Sequence, residues 1–477
     1  MAKQMVSLCY YFSLLLAFMA VGFASMEEKK VLNLQKVDLG EERSSKCLLP
    51  QRSRREKGAT ILEVKHHSCS MSFSTPEAKL MKIINSDNAR ISYLHHRIKN
   101  SDPKTTMKVQ SEAQIPLTSG AELQTLNYLV SIKLSNSEVT LIVDTGSDLT
   151  WVQCQPCSSC YNQQDPIFNP STSQSYQLIP CNSPTCSSVQ IATGISSFCS
   201  TDQPSCNYSF SYGDGSYTSG VLGWEQIDLA GTIIDGFVFG CGRSNYGLFG
   251  GASGLMGLGR TQLSLISQTT LQFGGIFSYC LPPREYDSSG SLVLGDNPSI
   301  FKNNTPVSYT RMILDPPESP FYFLNLTGIS IGAVALQASG FYNGSKVLID
   351  SGTAITRLVP SVYRALRDEF VRQFLMHPGA PGYSILDTCF NLEGLREVSI
   401  IPAMKFVFEG GVEVDVDVNG LFYYVKEDAS QVCLALASLT YEDEVGIIGN
   451  YQQKNLRVVY DTLGSSLGFA EETCGWL

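Results

Sequence analysis

One short pattern occurs twice in the chain, and it limits the possible folds more than any other feature. Leu141-Ile-Val-Asp144-Thr-Gly-Ser147 is echoed by Val347-Leu-Ile-Asp350-Ser-Gly-Thr353. Each copy is an apolar strand running into Asp, then a hydroxyl residue, Gly and a second hydroxyl residue. About 100 residues after each copy come two apolar residues and Gly: Leu255-Met256-Gly257 and Ile447-Ile448-Gly449. Duplication on this scale implies two similar lobes, each donating one carboxylate. An aspartate ending a buried strand needs donors around its oxygens. The next hydroxyl and the Gly amide can supply them, and Gly permits a tight turn and a close approach. A lone Asp-Thr-Gly reads as a capping turn after a strand; two copies with matching flanks read as a pair. If the two loops meet, the carboxylates cannot easily both ionise and share one proton. The ionised member can take a proton from water while the protonated one polarises a carbonyl. That is general acid–base hydrolysis with no metal, cofactor or covalent intermediate.

The surroundings suit a β-rich body. Hydrophobic residues are 43% and charged residues 16% of 477, a globular balance, and 40 Gly imply many turns. Tyr128 to Leu134 reads as a strand, with Glu138 to Val143 as its partner. Further strand-like runs recur to Val459. One helix is clear after Pro360, where Val362, Leu366, Phe370 and Phe374 repeat every four residues. Residues 26 to about 110 are polar and charged with few strand-like runs. Within them Lys79 to Lys99 predicts an amphipathic helix.

The amino terminus reads as a secretory signal over residues 1–25: Lys3, an apolar run from Val6 to Phe23, then small residues. A membrane anchor is the competing reading of that run, and no anchor is expected. Residues 26–115 carry 17 Lys and Arg against 11 Asp and Glu, whereas residues 116–477 carry 16 against 33. A basic leader before an acidic body suggests a propeptide held partly by charge, a basic linker being the alternative. As pH falls, neutralised body carboxylates should loosen that hold. The acidic body argues against nucleic acid as a partner.

After the leader come twelve cysteines: Cys154, Cys157, Cys160, Cys181, Cys186, Cys199, Cys206, Cys241, Cys280, Cys389, Cys433 and Cys474. Their even number is consistent with disulfides, and the pairing is open. Cys154-x-x-Cys157-x-x-Cys160 is also compatible with a metal site, but no His lies near it. Asn207, Asn303, Asn325 and Asn343 begin glycosylation triplets. His377 is the single His of the body and precedes Pro378, which leaves little for a Ser-His-Asp scheme.

At these motifs the chain resembles the pepsin-like aspartic peptidases, and within them the plant nepenthesin-type group. The resemblance covers about residues 125–477. Its carriers are Asp144 to Ser147, Trp151, Tyr212-Gly213-Asp214-Gly215-Ser216, Asp350 to Thr353, Ile447 to Gly449 and the cluster from Cys154 to Cys206. It implies an all-β, bilobal fold with pseudo-two-fold related lobes and a cleft between them. The expected division is a propeptide to residue 115, an N-terminal lobe over 116–316 with a Cys-rich insert at 154–206, and a C-terminal lobe over 317–477. Asp144 and Asp350 would be the catalytic pair. Thr145 and Ser351 would brace the loops across the lobes, with Gly146 and Gly352 supporting the pair. Ser147 and Thr353 would bind the outer carboxylate oxygens. Tyr212, Gly213 and Asp214 would belong to a hairpin flap over the cleft, with Trp151 bonded to Tyr212. The expectation is a secreted (or vacuolar) monomeric endopeptidase, acting on proteins or peptides at acidic pH after its own propeptide is removed. A secreted binding or inhibitor protein on the same scaffold is the alternative.

Overall fold

The strands Tyr128–Leu134 and Ser137–Asp144 form the predicted hairpin, with Leu134 opposite Ser137 and Ser135 turning through a left-handed φ of 53°. The computed structural model describes residues 30–33, 52–56, 58–66, 76–100 and 127–475, apart from short gaps at 200–203, 213–215, 248, 250, 284–288, 298–300, 302–305, 315, 317–318, 342–344, 396 and 427. The signal, Cys47 and Cys69, Gly213, Asp214, Asn303 and Asn343 fall outside the described residues.

The hairpin lies inside a 16-stranded sheet. Beyond Ser137–Asp144 the sheet continues through Gly254–Gly257, Trp151–Gln153 and two long strands, Thr232–Tyr246 and Tyr217–Leu229. On the other side of the hairpin lies Ala59–His66. It is antiparallel to Gly290–Leu294, with Leu62 opposite Leu292, and its end meets Tyr128–Leu134. This strand belongs to the segment read as polar and poor in strands. Its Ile61, Leu62 and Val64 are fully buried. Its one acid, Glu63, is buried beside Arg52 at 2.7 Å, so the charge that masked the strand is paired.

Ile276–Cys280, Leu456–Asp461 and Ser466–Glu471 complete this sheet, with Ser308–Arg311 at its edge. Strands from both sides of residue 316 therefore share it. A second, eight-stranded sheet holds Phe323–Ile331, Ser345–Ile349 and Gly446–Ile448. The helix Pro360–Gln373 packs against it. Val362, Leu366 and Phe370 are buried, and Phe374 just past its end is too, giving the stripe expected from the spacing. The predicted amphipathic helix spans Pro76–Asn100, with Ile84, Ile91 and Leu94 buried against the body.

All twelve body cysteines are paired, and the structure settles the connectivity that the sequence had left open. Four bridges gather around the Cys-rich insert. Cys154 bonds to Cys241, and Cys157 to Cys160. Cys181 bonds to Cys199, and Cys186 to Cys206. The other two are Cys280 with Cys474 and Cys389 with Cys433. For the Cys-x-x-Cys run the disulfide reading holds over its metal alternative. Cys157 and Cys160 close on each other and Cys154 is taken by Cys241, so no thiolate is left to ligate an ion. Cys389 and Cys433 are opposite residues of neighbouring antiparallel strands. The bridge from Cys280 ties Cys474, near the chain's end, to the shared sheet.

Candidate active site

Asp144 ends the strand Ser137–Asp144, which runs parallel to Gly254–Gly257 with Asp144 opposite Gly257. Asp350 follows Ser345–Ile349, which runs parallel to Gly446–Ile448. The two echoes thus build the same local form. Each apolar strand is buried between neighbours, and the chain must turn where the sequence places hydroxyl residues and Gly.

The hydrogen bonds repeat across the two copies. Gly146 N–H donates to Asp144 Oδ1 and Gly352 N–H to Asp350 Oδ1, both at 3.0 Å. Ser147 Oγ donates to Asp144 Oδ2 and Thr353 Oγ1 to Asp350 Oδ2, both at 2.6 Å. Across the boundary Thr145 N–H donates to Ser351 Oγ at 3.1 Å, and Ser351 N–H to Thr145 Oγ1 at 2.9 Å. A Cβ on Gly146 would sit 2.8 Å from Asp350 Oδ1, and one on Gly352 2.5 Å from Asp144 Oδ1. Only a residue without a side chain lets each loop come this close to the opposite carboxylate.

The echo extends further than the sequence reading took it. Thr150 and Thr356, six residues after each aspartate, accept from Gly257 N–H at 3.1 Å and Gly449 N–H at 2.9 Å. They fasten each carboxylate loop to its downstream Gly motif. The repeat Asp-x-Gly-x-x-x-Thr in both copies is the signal that could have found them.

Both aspartates are fully buried, and one cation spans them. Arg90, from the helix Pro76–Asn100, places Nη2 at 2.5 Å from Asp144 Oδ1 and 3.0 Å from Asp350 Oδ1, with Nε 2.9 Å from Asp350 Oδ2. Burial pushes the Asp144 carboxyl above its ordinary value against the pull of Arg90, and the Asp350 charge pushes it further. Burial opposes charge on Arg90, but the two carboxylates hold its guanidinium well above the usual range. The sequence reading missed Arg90, because nothing local to it marks a residue that meets partners 54 and 260 positions away.

The same helix is fastened on both sides of the cation. Asp87 accepts from Ala354 N–H at 2.6 Å and Ile355 N–H at 3.3 Å, and pairs with Arg357 at 2.9 Å. His95 lies 3.3 Å from Glu444 and 2.7 Å from the Val445 carbonyl. Arg97 donates to Ile191 O at 3.2 Å and Ala192 O at 3.3 Å, and to Tyr93 Oη at 2.8 Å.

Tyr212 lies between the strands Cys206–Ser211 and Tyr217–Leu229, and its N–H donates to Ser216 O at 2.7 Å. Trp151 Nε1 donates to its hydroxyl at 2.8 Å, the contact expected from the resemblance. Its ring packs on Phe210 and Phe249, and the ring of Tyr93, from the helix Pro76–Asn100, lies 6.4 Å away centre to centre. Asn207 and Asn325 are half-buried, with their side-chain amides donating to Phe198 O and Ser205 O and to Glu409 respectively. Among the described residues no group of three or more His, Cys, Asp or Glu is placed to hold a metal, and no helix is long and apolar enough to cross a membrane.

Residues 128–296 match the family described as Xylanase inhibitor N-terminal, and residues 321–471 its C-terminal counterpart. An aspartyl protease family protein of Arabidopsis thaliana is 39% identical over 440 residues, covering 90% of each chain. The aspartic proteinase nepenthesin-1 of Nepenthes gracilis is 35% identical over 359 residues, covering 73% of this chain and 78% of that one. Among solved structures, basic 7S globulin from soybean aligns with a TM-score of 0.58 at 21% identity, over 73% of this chain and 92% of that one. The aspartic proteinase from Irpex lacteus aligns with a TM-score of 0.52 at 16% identity, over 73% and 95%. With two β lobes meeting at paired Asp-hydroxyl-Gly loops, and with relatives of this identity and coverage, the chain belongs to the pepsin-like aspartic protease family, in its plant nepenthesin-type group.

Proposed function

We propose that this chain is the self-inhibited precursor of a secreted aspartic endopeptidase. The observation that carries the reading is Arg90 lying across both buried carboxylates. Asp144 and Asp350 have the full set of hydroxyl and amide donors on their outer and inner oxygens, so the pair is equipped for chemistry. The space where a water and a peptide carbonyl would sit is taken by the guanidinium and its helix.

With the helix gone, the dyad holds one proton. The ionised carboxylate accepts a proton from a water, whose oxygen attacks the peptide carbonyl carbon. The protonated carboxyl donates to the carbonyl oxygen, giving a tetrahedral diol. Collapse breaks the C–N bond as the protonated carboxyl donates to the leaving amine and the ionised one takes a proton from a diol hydroxyl, which re-forms the product's carbonyl and leaves one proton on the dyad. The Thr145–Ser351 bonds fix the spacing of the loops, and the Tyr212 hairpin closes over the peptide and excludes water.

Acid supports release. Burial holds the Asp144 carboxyl above its ordinary value, and protonating it removes one of the two charges that hold Arg90. The family description refers to xylanase inhibitors, and a binding role on this scaffold is the competing reading. The retention of both carboxylates with all four of their donors favours catalysis.

The test is proteolysis of a denatured protein by the full chain after acid treatment. The expected result is cleavage blocked by pepstatin and reduced about a thousandfold or more in Asp144→Asn or Asp350→Asn. Cleavage that survives both variants and pepstatin rules the reading out.

A further inference from the structure

We propose that Ala354 N–H, Ile355 N–H and the Arg357 guanidinium form a subsite for an acidic side chain of the peptide substrate, beside the dyad. The inference rests on the peptidase reading and names a substrate preference for that same cleft.

In the precursor this cradle holds a carboxylate already. Asp87 fills it, accepting one hydrogen bond from each backbone amide and pairing with Arg357. Arg357 also donates to Asn88 Oδ1 at 2.8 Å and to its neighbour Ile355 O at 2.9 Å. Among the described residues Asp87 is its one ion-pair partner. The carboxylate therefore comes entirely from the helix, and the cation and amides entirely from the body.

Removal of the helix takes the counter-ion away and leaves the donors. The Arg357 side chain is only 3% exposed with the helix in place, and burial lowers its affinity for a proton while the Asp87 charge raises it. With the helix gone the guanidinium faces the open cleft, and a substrate carboxylate there restores the charge-assisted pair that Asp87 made. Two amides beside a guanidinium also match the two oxygens of a carboxylate better than any neutral side chain. The cleft should accordingly select a residue that restores the pair.

The position follows from the chain. Ala354 comes directly after Thr353, which holds Asp350. Asp87 precedes Arg90 by three residues, a rise of about 4.5 Å along a helix. An extended peptide covers that in one or two residues at about 3.3 Å each. The acidic residue should lie one or two positions from the bond that is cut.

The test uses the acid-matured protein and paired peptides that differ only by Asp or Asn at each position within two residues of the scissile bond. At one position Asp should raise kcat/KM by about 10- to 100-fold over Asn. Arg357→Gln should bring that ratio close to one. The ratio is taken on a single protein, so a general loss of activity cancels. Uncleavable reduced-bond versions of the same pair are measured by calorimetry in parallel. Equal cleavage of Asp and Asn peptides at every position overturns the subsite and leaves the peptidase reading standing. Tighter binding of the Asp version without cleavage of either peptide sustains the subsite and removes the peptidase reading. Where Arg357→Gln does not fold, the peptide pair on the natural protein decides alone.

Discussion

Thr145 and Ser351 exchange two hydrogen bonds across the lobe boundary, each backbone N–H donating to the other residue's hydroxyl at 3.1 and 2.9 Å. The pair is fully buried, so neither amide has water to fall back on. Thr145→Val keeps the shape and removes the acceptor for Ser351 N–H. The expected cost is about 1–3 kcal/mol of stability, the penalty for a buried donor left unmade. Activity should fall further than stability, because loop spacing sets the dyad geometry. Thermal unfolding and kcat measured on the same matured sample check both parts. An unchanged kcat would mean that the bridge is structural only.

Arg90 makes a sharper prediction. Arg90→Gln keeps length and polarity but removes the charge that lies between Asp144 and Asp350. If the proposed self-inhibition holds, the intact variant should bind pepstatin and cleave protein at a pH where the intact natural chain does neither. Its helix should also be cut faster by an added protease, since a main anchor is gone. Pepstatin binding by calorimetry on the uncleaved chain is the measurement. A variant as silent as the natural precursor would show that the helix blocks the cleft without help from this cation.

Burial gives Asp148 a distinct pH signature. Its Oδ1 accepts from Thr261 N–H at 2.9 Å, while Oδ2 is buried with no partner among the described residues. Burial pushes its carboxyl from 3.8 up to about 6. A raised value in the fold means that Asp148 binds its proton more tightly folded than unfolded. Its contribution is therefore complete below about pH 4 and is lost as pH rises through about 6, on the order of 3 kcal/mol. Asp148→Asn should flatten the fall in stability between pH 4 and 7 relative to the natural chain. Urea unfolding of both at several pH values reads the difference directly. Parallel curves would mean that Asp148 is ionised in the fold.

What the sequence made legible was local. Within each copy the oxygens of Asp144 and Asp350 find donors no more than three residues away, at Gly146 and Ser147 and at Gly352 and Thr353, so a seven-residue pattern carries that part of the arrangement. The pool of twelve cysteines was equally plain, but its pairing was not. Cys154 reaches Cys241 across 87 positions and Cys280 reaches Cys474 across 194, and no spacing encodes that. Even within the insert, Cys181 passes over Cys186 to join Cys199, and Cys186 then joins Cys206, an interleaving that only the folded loops decide. Arg90 and Asp87 stayed hidden for the same reason. Each is an ordinary charged residue on an amphipathic helix until the fold brings Asp350 or Arg357 beside it. The strand Ala59–His66 was obscured by its own chemistry. Glu63 and Lys65 interrupt the apolar run, and only the buried pairing of Glu63 with Arg52 shows why an acid is tolerated there.

That strand gives the last prediction. It lies in the segment proposed for removal, yet it sits within the central sheet, hydrogen-bonded to Gly290–Leu294 along its length. Leu62 is 1% exposed and packs in the same core as Val130 and Leu292. Leu62→Ala should cost the precursor about 2–5 kcal/mol, as a cavity in a body core does, whereas a surface change in a loosely attached leader costs almost nothing. Exposed Ser92, on the outer side of the leader helix, serves as that control through Ser92→Ala. Thermal unfolding of the intact precursor separates the cases. If Leu62→Ala and Ser92→Ala melt alike, the strand is an accessory to the sheet and the body is stable without it.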